Sequence, residues 1–128
     1  NLDLIYLKEK VDAGAEYIVT QMFFDNQKYF DFVKTCREMG INVPIIPGLK
    51  PITKKYQTTS IPRHFFIDLP DDLVNAMLKA KDAEARRLVG VEWCTMQSKE
   101  LKAAGVPVLH YYTMGDAETT KQIIEAVI

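Results

Sequence analysis

Apolar residues recur at helical spacing near the start of the chain: Leu4, Leu7 and Val11 share one face, and Gly14 supplies a stop. Tyr17-Ile-Val-Thr-Gln-Met-Phe-Phe24 breaks that period with a β-branched and aromatic run, the pattern of a strand covered on both faces. Asp25-Asn26 caps a second helix that buries Tyr29, Phe32, Val33 and Cys36 and ends at Gly40. A second strand over Val43 to Ile46 stops at Pro47-Gly48. Residues 49–69 are less regular, with Pro51, a Thr/Ser cluster and Pro62 before apolar Phe65-Phe66-Ile67. Pro70-Asp71-Asp72 opens a helix, because proline fits the first turn and carboxylates suit the positive end of the dipole. Asp82 caps a longer helix to about Ala104, with Gly105 as its stop. A third strand spans Val106 to Tyr112, and a last helix from about Asp116 buries Ile123, Ile124 and Val127.

Helices alternating with strands predict an α/β fold with a parallel sheet and helical crossovers. Periodicity leaves two layouts open, an open doubly wound sheet or a segment of a closed barrel. A complete (β/α) barrel takes about 250 residues, and these 128 residues make one partial domain at most. The chain starts at Asn1 without a Met, directly in a helix, as if cut from something longer.

Composition narrows the partners. With 16 Lys+Arg against 17 Asp+Glu and no basic face, nothing points to nucleic acid. The longest apolar runs are far short of a membrane span, and no signal peptide opens the chain. Cys36 and Cys94 stand alone, away from any Cys or His at metal-ligand spacing, so neither a disulfide nor a metal site is expected. The expected setting is a reducing, cytoplasmic one.

In α/β proteins ligands bind beyond the carboxyl ends of the strands, which selects Gln21 to Asp25, Pro47 to Gln57 and His110 to Asp116. Gln21 is the sharpest feature, since an amide within an apolar strand costs about 1–3 kcal/mol unless it finds partners. Alternation sets Tyr17, Val19, Gln21 and Phe23 on one face. From there Gln21 either offers its amide to a polar ring system, with Phe23 as a wall, or bonds a neighbouring strand or an internal water. The Pro47-Gly48-Leu-Lys-Pro51 turn either aims Tyr56 and Gln57 over the site or simply turns the chain. His110 is either an acid–base group or a satisfied core residue, and His64 is read as a surface residue. These residues show no nucleophile with a base, no paired carboxylates and no phosphate loop.

Taken together, Lys8-Glu-Lys-Val-Asp-Ala-Gly-Ala15, Thr20-Gln-Met-Phe-Phe-Asp25, Pro44-Ile-Ile-Pro-Gly-Leu-Lys-Pro51, Arg87-Leu-Val-Gly90 and His110-Tyr-Tyr-Thr-Met114 resemble methylenetetrahydrofolate reductase over essentially the whole chain. The resemblance implies the C-terminal part of a (β/α)8 TIM barrel: about three parallel strands, the sixth to eighth, with flanking helices. It also implies FAD, with NADH or NADPH as co-substrate, reducing 5,10-methylenetetrahydrofolate to 5-methyltetrahydrofolate in the one-carbon metabolism that feeds methionine biosynthesis.

By the same resemblance, Gln21, Gln57 and Ile61 contact the folate, Ile61 as apolar surface for its benzoyl ring. Asp3, Tyr6 and Lys10 share one face of the first helix and face the flavin cofactor, with Lys10 as a cation for its pyrophosphate. Tyr6 and Glu9 depart from the family pattern, as does Asp116, which stands where relatives carry an Arg that contacts the folate tail. The family's catalytic acid and its flavin-tuning aspartate lie on earlier strands, so no catalytic residue falls in this chain and it is expected to be inactive alone. Expected partners are the folate substrate and further copies of the chain, as a homo-oligomer. The competing expectation is a non-catalytic α/β fragment, a binding or oligomerisation module that associates through open sheet edges.

Overall fold

Helix α1 spans Leu2–Asp12 and stops where Gly14 adopts φ +117°, a left-handed conformation that costs glycine little. The computed structural model describes residues 2–65, 67–113 and 117–128, and the backbone alone at residues 2, 3, 64 and 65. Strand β1 (Ile18–Val19) leads into α2 (Asn26–Glu38), which the Asp25 carboxylate caps by accepting the Gln27 N–H at 3.0 Å. Strands β2 (Ile45–Ile46) and β3 (Gly48–Leu49) flank Pro47. Helices α3 (Gln57–Phe65), α4 (Asp71–Lys79) and α5 (Ala83–Ala103) follow, then β4 (His110–Tyr111) and α6 (Ala117–Val127).

Every pairing is parallel, as the alternation predicts. Ile18 faces Ile45 and Val19 faces Ile46, while Gly48 faces His110 and Leu49 faces Tyr111. Carbonyls of residues 44–49 serve both sides of this central segment. Pro44 and Ile46 accept from Ile18 and Thr20 of one neighbour, and Pro47 and Leu49 from His110 and Tyr112 of the other. The second strand therefore runs past Pro47-Gly48 instead of stopping there.

The outer strands are shorter than the apolar runs that encode them. Beyond Thr20 the carbonyls are taken by side chains of α5: Trp93 Nε1 donates to Phe24 O at 2.9 Å and Gln97 Nε2 to Phe23 O at 3.2 Å. Helix α3 is the other departure, since Pro51, Pro62 and the Thr/Ser cluster read as irregular. Its start is held by the Gln57 side chain, whose Oε1 accepts the N–H groups of Thr53 (2.8 Å) and Lys54 (3.0 Å).

Two apolar clusters result. Phe23, Tyr29, Ile45, Leu49, Cys94, Leu101 and their neighbours fill the space between the strands and α1, α2, α5 and α6. Met22, Phe24, Ile52, Ile61, Leu73 and Met77 form the second, under α3 and α4. Between them sits a buried amide pair. Asn26 Nδ2 donates to Gln97 O (3.1 Å) and Glu100 Oε1 (2.9 Å), and Gln97 Nε2 donates to Asn26 Oδ1 (3.1 Å).

Packing leaves no room at Gly90, where an added Cβ would run into the Ile52 carbonyl. Gly90→Ala is expected to destabilise the fold by about 1–3 kcal/mol, the usual penalty of overpacking. A urea midpoint equal to that of the parent would show that α5 can shift aside. Burial also pushes the Cys94 thiol up to about 12, against weaker downward pulls from Ser98 and the Lys50 charge. A thiol with a raised folded pKa contributes its stability fully below pH 9, and loses it as pH rises through 12. Cys94→Ala should flatten the alkaline fall of the urea midpoint across that window; an unchanged slope would assign the fall to other groups.

Candidate functional site

Sheet alternation divides the strands into two faces. Ile45 and Leu49 are buried towards the helices, and the Tyr111 hydroxyl meets Ser98 Oγ of α5 at 2.8 Å. Burial against α5 pushes the Tyr111 phenol above its usual range, partly offset by that hydrogen bond. The opposite face carries Tyr17 (60% exposed), Val19, Val108 and His110, all exposed.

Gln21 stands on this second face, one residue past the last rung of β1, and is exposed. It lines a hollow of about 360 Å³ with Phe23, Lys28, Phe32 and Leu7. Phe23 leaves the alternation expected of it: it is buried and stacks on Tyr29, with centroids 5.5 Å apart and planes 11° off parallel. It still borders the hollow beside Gln21, because the strand has ended and the chain turns inward to α2.

The carboxyl end of β1 is built in an unusual way. Continuing the register would place the Gly48 N–H on the Thr20 carbonyl. Instead Gly48 N donates to Thr20 Oγ1 at 2.9 Å, and the Thr20 carbonyl accepts the Tyr112 hydroxyl at 2.8 Å. Tyr112 reaches it by crossing over the central segment at Gly48, where an added Cβ would lie 2.6 Å from the ring and 2.5 Å from Thr20 O. His110 meets the same ring edge-on, with centroids 4.6 Å apart. His110 is thus an exposed neighbour of Tyr112 and not a core residue.

The other expected site residues divide. Tyr6 and Lys10, both exposed on α1, border one hollow of about 540 Å³ together with Glu9. The side chain of Asp3, that of His64, and Asp116 lie outside the described residues. Gln57 and Ile61 share α3, but Gln57 spends its carbonyl on the loop before it and Ile61 is only 4% exposed. The surface expected of Ile61 is turned into the second cluster, because its helix is amphipathic. Among the described residues, no three His, Cys, Asp or Glu side chains are placed to hold a metal ion.

Sequence reasoning passed over Tyr112, Thr20, Asn26 and Gln97. Tyr112 is visible in the sequence as part of a polar strand end, but its partner lies 92 positions away.

The methylenetetrahydrofolate reductase family model matches residues 1–127. Methylenetetrahydrofolate reductase (NADH) 1 of Arabidopsis thaliana is 41% identical over 113 residues, covering 88% of this chain and 19% of that protein. The probable methylenetetrahydrofolate reductase (NADPH) of Caenorhabditis elegans is 35% identical over 127 residues, 98% of this chain and 19% of its own length. The Escherichia coli 5,10-methylenetetrahydrofolate reductase is 37% identical over 127 residues, 94% of this chain and 41% of its own length. The chain thus spans well under half of each of these relatives. A solved structure, described as an uncharacterized protein from Clostridium thermocellum that binds two copies of 5-methyl-5,6,7,8-tetrahydrofolic acid, shares the fold at a TM-score of 0.58 and 18% identity, over 96% of this chain and 46% of that one. With the family model matching residues 1–127, the chain belongs to the methylenetetrahydrofolate reductase family.

Proposed function

We propose that this chain forms the later βα units of a (β/α)8 barrel in a flavin-dependent reductase that converts 5,10-methylenetetrahydrofolate to 5-methyltetrahydrofolate. The observation that carries this is Gln21, an amide left exposed at the carboxyl end of β1 in a chain that matches the family over residues 1–127. Carboxyl ends of strands are where such folds bind their ligands. Relatives named for NADH and for NADPH both match, so either carrier fits the reading.

The residues of α1 fit one side of FAD. Lys10 brings a cation suited to a pyrophosphate and Tyr6 an exposed ring, in the same hollow; Glu9 there works against an anion. When bound, FAD would supply the redox chemistry between NAD(P)H and the folate. The part left to this chain is orientation. Gln21 can accept from one amide N–H and donate to a carbonyl, the pattern that pterin and nicotinamide amides share. Gln57 and Ile61 would meet the folate only if α3 shifts from its place over the second cluster. The cytoplasmic setting belongs to the same proposal and is in keeping with two buried free thiols. No described helix is long and apolar enough to cross a membrane.

A second reading has an observation of its own. Tyr17, Val19 and Val108 are large, apolar and exposed on one sheet face, which suits an α/β module that self-associates. Light scattering of the 128-residue chain decides it: a monomer at all concentrations would remove that reading.

Two outcomes follow from the reductase reading. The chain alone, supplied with FAD and an electron acceptor, should oxidise no NAD(P)H, since the family's acid and flavin-tuning aspartate are outside it; turnover above a buffer blank would count against this. In the full-length protein, Gln21→Ala should slow both half-reactions at unchanged flavin content. One lost hydrogen bond of about 0.5–1.5 kcal/mol sets a floor of roughly threefold to tenfold, and misorientation of the hydride donor adds to it. A variant with a lower melting temperature but parental hydride-transfer rates in stopped flow would remove Gln21 from the site.

A further inference from the structure

We propose that Tyr112 is a positioning residue that aims Gln21, acting through the backbone of Thr20; this rests on the assignment of Gln21 to the folate site. The register of β1 against the central segment calls for a rung from Gly48 N to the Thr20 carbonyl. That rung is replaced by two hydroxyls. The Thr20 side chain accepts the Gly48 N–H at 2.9 Å, and the Tyr112 hydroxyl donates to Thr20 O at 2.8 Å.

The exchange has a directional effect. A peptide carbonyl held by an ordinary rung lies in the plane of the sheet and carries the next residue along the strand. The Thr20 carbonyl is instead anchored by a side chain from β4, two strands away, that crosses the central segment at Gly48. Thr20 O belongs to the peptide unit whose N–H is that of Gln21, and a peptide unit is planar. Fixing that oxygen therefore fixes the plane from which the Gln21 side chain departs. The glycine is part of the device, since any side chain at position 48 would meet the Tyr112 ring. His110, edge-on to the same ring at 4.6 Å, limits its swing.

Tyr112→Phe tests this in the full-length, flavin-loaded protein, because it keeps the ring at Gly48 and removes only the hydroxyl. Rates are read by stopped flow per bound flavin, below the melting temperature of every variant, so that a loss of folded protein does not enter. Tyr112→Phe should slow both hydride transfers about threefold to tenfold, the scale of one lost hydrogen bond and a misdirected amide. In a Gln21→Ala background the same substitution should change nothing further, because residues that act as one unit are not additive. Parental rates in Tyr112→Phe would overturn the proposal. An equal slowing with and without Gln21 would also overturn it while leaving Gln21 in the site, since Tyr112 would then act directly or elsewhere. Parental rates in Gln21→Ala alone would overturn both this proposal and the folate-site assignment beneath it.

Discussion

The carbonyls that β1 releases at its carboxyl end are the constraint on which the rest of the fold turns. A buried backbone carbonyl without a donor is costly, and here the donors come from α5. Trp93 and Gln97, one helical turn apart, take the carbonyls of Phe24 and Phe23. Their spacing sets how far along the strand α5 lies, and Gly90 sets how close, with its bare Cα against the Ile52 carbonyl. Ser98 then reaches Tyr111 on β4. One helix thereby indexes the first strand, the loop after the central segment, and the last strand.

That indexing also fixes the surroundings of Gln21. The two apolar clusters meet along the Met22–Phe24 segment, whose side chains alternate between them. Whatever leaves the sheet just before that segment is held by a rigid neighbour on each side. Gln21 leaves there. The hollow it lines is bordered by Phe23 and by Phe32 of α2, with Lys28 at its edge, a mixture of apolar and polar lining that suits the folate role proposed for Gln21.

Much of this was legible in the chain. Asp25 and Asp82 cap the helices they precede, accepting from Gln27 and Ala85, and the glycines at 14, 40 and 105 take the positive φ that ends a helix. These signals are local, carried by residues within a turn of one another, and local signals survive without knowledge of the fold. The parallel order of the strands was legible too, because helices between successive strands mark crossover connections, which return the chain in the same direction. Strand length was not, because it depends on which carbonyls are claimed by side chains some 70 positions away. Helix α3 was hidden by Pro51 and Pro62, and its start is held by the Gln57 side chain folding back on Thr53 and Lys54 together with turns at Lys54 to Tyr56. Ile61 looked available for a ligand because sequence alone does not say which way an amphipathic helix is turned. The role proposed for Tyr112 was not legible beyond its place at a strand end, since it rests on a carbonyl of another strand.

Pro47 sits in the middle of the central segment with its carbonyl directed to His110 and no N–H to offer on that side. A parallel ladder has evenly spaced rungs, so nothing in its geometry forbids β4 from sliding along by two residues and pairing again. The missing donor does not choose between registers, since it leaves one rung unmade in each. A β4 slid by two residues either way would carry Tyr112 off the Gly48 notch. The fit of that ring against Gly48 is what holds the strand bearing His110 and Tyr112 in a single register.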